Sequence, residues 1–147
     1  MNLELKHLAP YLPYGLKINL TRSCFERTNI DFMGTTIAYN SATKEHYIIK
    51  NAVTYGMEHI KPILRPLSDL VKEIEVNGKR FVPKDYFEDT YYTLDLHEQC
   101  NLLIGEDGEN WVNQCDYMLV DYLFEWHFDV FGLIEQGLAI DINTLKS

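Results

Sequence analysis

The stretch CDYMLVDYLFEWHFDVFGLIEQGLAIDINTL, Cys115–Leu145, is the most apolar and aromatic part of this chain, and the fold reading turns on it. At 100° per residue, positions 115 to 131 read as a helix whose apolar side chains cover nearly the whole circumference. Such a helix is expected to be buried on most sides. Asp121, Glu125 and Asp129 fall at i, i+4 and i+8, within about 80° of arc, and form one narrow acidic stripe. His127 points away from that stripe. Gly132 loosens the helix, residues 133–136 add a turn, and Gly137 suits a left-handed stop. Beyond it Leu138, Ile140 and Ile142 alternate with Ala139, Asp141 and Asn143, the period of a terminal strand with one buried face.

Working back toward the N-terminus, Thr93 is placed to cap a helix from Leu94 to Ile104. Leu96, Cys100 and Leu103 form its buried edge and Gly105 its end. Asn77-Gly78 marks a two-residue hairpin turn. That turn pairs Val76 with Lys79, Glu75 with Arg80 and Ile74 with Phe81, matching opposite charges on one face and apolar residues on the other. Pro83 ends the second strand. Ser68 is read as the cap of a short helix through about Glu73, and Pro62 and Pro66 hold their preceding residues extended. Leu16, Ile18 and Leu20 alternate with Lys17 and Asn19 as a strand. Segments 30–33, 36–39 and 46–50 are further strand candidates, and their short links favour an antiparallel meander. Leu3 to Leu8 suits a short helix stopped by Pro10.

The resulting expectation is one α+β domain over residues 1–147. An N-terminal antiparallel sheet and a β-hairpin pack against two helices of the C-terminal half, and the chain closes with a short strand. A length of 147 residues and a hydrophobic content of 46% suit one domain with a real core rather than a disordered chain. No apolar run approaches the roughly 20 residues of a membrane helix, and no signal peptide is visible. Cys24, Cys100 and Cys115 are an odd set without close spacing, which reads as reduced thiols in a cytoplasm.

The net charge is −9, and its placement carries more than its size. Residues 1–73 hold 9 basic and 7 acidic side chains, whereas residues 74–147 hold 4 and 15. Between Lys84 and Lys146 there is no basic residue against 14 acidic ones. A phosphate backbone is repelled by such a surface, so direct nucleic-acid binding is not expected of it. Plain solubility, a basic protein partner or a divalent cation fits.

Motifs with chemistry are weak. The stripe Asp121, Glu125 and Asp129 supplies oxygen ligands of the kind hard cations take, or paired carboxylates, but brings no histidine at metal-helix spacing. His97, Cys100 and Cys115 are fragments of a zinc set of which only His97 and Cys100 are closely spaced. The loop GEDGEN, residues 105–110, departs from the calcium-loop pattern. Cys24 with His7, His46 or His59 is not singled out as a nucleophile by any motif. No cofactor fingerprint is present. Ten tyrosines and two tryptophans exceed what a core of this size needs, and such side chains are enriched where proteins meet.

Three segments, LAPYLPYGL (8–16), ILRPLSDLVKEIEVNGKRFVP (63–83) and LFEWHFDVFGLIEQGLAIDINTL (123–145), together resemble a group of uncharacterised proteins encoded by phages and prophages of Bacteroidetes-type gut bacteria. The resemblance covers about a third of the chain and implies a cytoplasmic life inside a bacterial host cell. It carries no catalytic residues. The functional expectations are then three. The first is an accessory protein acting by protein–protein contact, as a homo-oligomer in one version, rather than by catalysis. The second is an acidic DNA mimic that inhibits a host nucleic-acid-binding protein. The third is a divalent-metal enzyme using Asp121, Glu125 and Asp129.

Overall fold

A computed structural model describes residues 2–23, 26–31, 36–50, 53–90, 96–105 and 108–145, with residues 21–23, 26–31, 88–90 and 97 followed along the backbone. The protein is α+β. Its contacts gather in two compact units, Met1–Leu64 with Leu133–Ser147, and Arg65–Gly132.

The first unit opens with helix α1 (Leu5–Leu8), which runs into a 3-10 turn over Ala9–Tyr14. Pro10 at the start of that turn changes the helix type rather than stopping the chain. Gly15, at φ 69°, lets the backbone reverse into strand β1 (Lys17–Ser23). Strands β2 (Glu26–Asp31), β3 (Thr36–Asn40), β4 (Glu45–Lys50), β5 (Val53–Gly56) and β6 (Ile60–Leu64) follow. They form two sheets. In one, β1 lies between β2 and β6, antiparallel to both, with Ile18 opposite Ile30 and Pro62. In the other, β3, β4 and β5 make an antiparallel meander.

The second unit begins with a 3-10 turn at Leu67–Val71. Pro66, not Ser68, stands at its cap, so the helix expected from Ser68 to Glu73 is shorter and tighter. The hairpin follows as β7 (Ile74–Val76) and β8 (Lys79–Phe81), with the pairing read from Asn77-Gly78. Asn77 and Gly78 take φ 52° and 82°, the two left-handed residues that a type I′ turn requires. Pro83 ends the strand and also opens helix α2 (Pro83–Thr90), where a proline's missing N–H is harmless at the first position. Helix α3 (Leu96–Ile104) has Leu96, Cys100 and Leu103 fully buried, as expected. The proposed cap Thr93 lies outside the described residues.

Helix α4 spans Tyr117–Glu125, half the length expected. Its end is a Schellman closure. The Phe128 N–H donates to the Leu123 carbonyl at 2.8 Å, the His127 N–H donates to the Phe124 carbonyl at 3.1 Å, and His127 sits at φ 60°. The chain then leaves the helix to pair with Arg65: its N–H donates to the His127 carbonyl and its carbonyl accepts from the Asp129 N–H, both at 2.7 Å. Nor is α4 buried on most sides. Leu119, Leu123 and Trp126 turn inward, while Tyr117 is 79% exposed.

The core of this unit joins the hairpin to the helices: Ile74, Phe87, Leu96, Leu103, Leu119 and Leu123 pack together. Phe81, Tyr86, Phe87, Tyr122 and Trp126 form a cluster of rings with centroids 4.9 to 5.8 Å apart, several edge to face. Tyr86, Tyr122 and Trp126 account for part of the tyrosine and tryptophan surplus.

In the first unit, Gly137 (φ 76°) closes the turn after Leu133 by the same two-bond pattern, with the Leu138 N–H donating to the Leu133 carbonyl. The terminal strand β9 is confined to Ile140–Asp141, parallel to β6 through Ile63 and Leu64. The Asp141 carboxylate accepts the Asn143 N–H at 2.8 Å and turns the chain into a 3-10 segment, which ends the alternation early.

Candidate functional site

The acidic stripe depended on a helix reaching residue 129, and the helix stops at Glu125. Asp121 is half-buried on α4, Glu125 is exposed at its last turn, and Asp129 is buried beyond it in the segment paired with Arg65. Among the described residues, no group of three or more His, Cys, Asp or Glu side chains is placed to hold a metal ion. Burial, with a smaller effect of the neighbouring Cys115, pushes the Cys100 thiol up to about 12, the reverse of what a thiolate ligand or nucleophile needs. Burial and then the Asp116 carboxylate push Cys115 up as well. Cys24 lies outside the described residues, as do the side chain of His97 and residues 106–107 of the GEDGEN loop.

Two surfaces remain, one in each unit. The first unit has a cleft of about 730 Å³. Its charged lining is Lys6, Lys44, Lys61, Glu4, Glu45 and Glu58, and the three cations offset the three anions. Tyr39 and His46, cross-strand partners on β3 and β4, stack on one wall with ring centroids 5.0 Å apart. A balanced lining of this kind does not concentrate ligands of either sign.

The second unit is strongly one-signed, with five basic and 15 acidic residues between Arg65 and Gly132. Among the described residues, four of the nine large exposed apolar or aromatic side chains fall in one short span of it: Leu102, Trp111, Tyr117 and Met118. Local geometry fixes that span. Gln99 on α3 clamps the start of α4, accepting the Asp116 N–H at 2.7 Å and donating to the Asp116 carboxylate at 3.3 Å. The Cys115 thiol lies 3.5 Å from the Trp111 carbonyl. Every one of the four side chains is therefore within a helical turn, along the chain, of a residue held by these contacts. Exposed Glu98 and Asp116 and half-buried Glu109 belong to the same span. The charge of this surface was legible in the sequence. The outward turn of Tyr117 was not, because apolar periodicity alone assigned the aromatics of α4 to the core.

Among the described residues no helix is long and apolar enough to cross a membrane. No protein family, no curated protein and no solved structure matches this chain.

Proposed function

We propose that this protein acts through protein–protein contact, its acidic unit docking a basic partner at the surface around Gln99 and Asp116. The observation that carries the reading is the coincidence of exposed Trp111 and Tyr117 with a threefold excess of acidic over basic residues, 15 against five, in the same unit. Aromatic anchors supply affinity at protein interfaces, and a one-signed field supplies fast, salt-sensitive association with a partner of opposite charge. The resemblance to phage and prophage proteins makes a bacterial cytoplasm the place to look for that partner.

The test is affinity capture from bacterial lysate by the wild-type chain, by Trp111→Ser/Tyr117→Ser, and by the control Tyr39→Ser. Basic proteins held by the wild type and the control, released by salt and lost with the double variant support the reading. Capture indifferent to Trp111 and Tyr117 overturns it. If the captured proteins are nucleic-acid binders displaced by duplex DNA, the acidic unit is working as a DNA mimic. That second reading rests on the same excess charge, whose exposed carboxylates include Glu73 just before β7, Glu75 on β7, Asp85 on α2, Glu98 on α3 and Glu125 on α4.

A further inference from the structure

Strand β3 is an edge. Among the described residues its one hydrogen-bonded neighbour strand is β4, and its other side carries backbone donors and acceptors with no strand against them. Natural edges are protected against pairing by charge, proline, bulges or covering groups. The edge strand β2 of the other sheet carries Glu26, Arg27 and Asp31, and its pairing with β1 is interrupted by a bulge in β1 between Thr21 and Ser23. The opposite edge of the meander, β5, ends at Gly56, where the Glu58 carboxylate lies so close that a Cβ would come within 2.6 Å of it. Among the described residues strand β3 has none of these. Its five residues, Thr36, Ile37, Ala38, Tyr39 and Asn40, include no charge and no proline. Ile37 is 37% exposed and Tyr39 is 55% exposed.

We propose that two copies of this chain pair antiparallel through β3, joining their meanders into one six-stranded sheet. The argument for a second copy over any other strand is the near-palindromic order of the edge. With Ala38 facing its own copy on the two-fold axis, Ile37 stands beside the partner's Tyr39, and Tyr39 beside the partner's Ile37. Thr36 meets the partner's Asn40. Ile37 and Tyr39 lie on the same face of β3, so both apolar pairs form on one side of the joined sheet. A β-branched residue beside an aromatic one is a favourable cross-strand pair, and a closed two-fold contact uses up both open edges at once.

The experiment is sedimentation equilibrium over a concentration series on the full chain, with circular dichroism and thermal unfolding as folding controls. Wild type is expected to move from the 17.2 kDa of one chain toward twice that mass. Ile37→Lys/Tyr39→Lys sets like charges opposite each other across the axis and is expected to stay at the single-chain mass while remaining folded. Ile37→Lys/Tyr39→Glu sets opposite charges in the same register and is expected to recover the dimer. The rescue separates pairing at β3 from a general loss of fold. A wild-type chain of single mass throughout, or a dimer that persists in the double-lysine variant, overturns the proposal.

Discussion

The Nε–H of Arg65 donates to the carbonyl oxygen of Trp126 at 3.0 Å, and the same guanidinium donates through Nη2 to the carbonyl of Glu75, also at 3.0 Å. One buried cation thus satisfies the cap residue of helix α4 and the backbone of the hairpin's first strand. The C-terminus of a helix carries partial negative charge, so a cation there is favoured twice, by hydrogen bonding and by the dipole. Burial draws the Arg65 pKa down and Asp69 draws it back up.

Removing this side chain leaves buried carbonyls without a donor. Arg65→Met is expected to cost about 2–3 kcal/mol, within the range for orphaned buried groups. Arg65→Lys keeps the charge but not the fork and is expected to recover less than half of that loss. Urea unfolding at neutral pH measures both.

His127 occupies a left-handed backbone position that costs a side-chain-bearing residue about 1–2 kcal/mol and glycine almost nothing. His127→Gly is expected to hold or raise the melting temperature. His127→Val, β-branched at φ 60°, is expected to lower stability by roughly that 1–2 kcal/mol. If valine is tolerated as well as glycine, the Schellman closure is not what ends α4.

His7 is buried, and its Nδ1 accepts the Glu4 N–H at 2.9 Å, which requires the unprotonated nitrogen. Burial first and Lys6 second lower its pKa, with Glu4 opposing. The unfolded chain therefore takes up the proton before the folded chain does. Stability is expected to fall as the pH drops through the ordinary histidine value of about 6.5 and toward the lower folded value. His7→Asn, which keeps an acceptor without titrating, is expected to flatten that part of the profile. Melting temperatures of the two proteins between neutral and mildly acidic pH test it.

The raised thiol values of Cys100 and Cys115 imply slow chemistry. In a Cys24→Ser background, which leaves these two thiols, Cys100 is expected to resist alkylation at pH 8 until denaturant is added, and Cys115 to react slowly. Mass spectrometry of the alkylated protein reads each site. Rapid native labelling of Cys100 would show that α3 opens readily.

Much of the fold was legible where a local rule acts alone. Asn77-Gly78 set the hairpin register because few dipeptides accept two left-handed residues in succession. The alternation at Leu16, Ile18 and Leu20 marked β1, and all three are buried. What failed was the end of α4. Periodicity continues smoothly from Phe124 to Phe131, and no glycine or proline interrupts it until Gly132. The helix stops because histidine takes the left-handed position and Phe128 pairs with Arg65, more than sixty residues away in the chain. The acidic stripe failed with it. Helix α2 was missed although Pro83 and Asp85 are ordinary opening residues, because the proline had been used to close the strand before it.

The parallel pairing of β6 with β9 sets an order of events during synthesis. Residues 65–132 form a continuous unit that emerges from the ribosome whole, so it can fold as soon as it clears the exit tunnel. The other unit cannot: Ile63 and Leu64 wait for Ile140 and Asp141, which are translated only after the whole of the intervening unit. Until then β6 keeps one edge unpaired, and its closure depends on a segment encoded beyond the whole of the other unit.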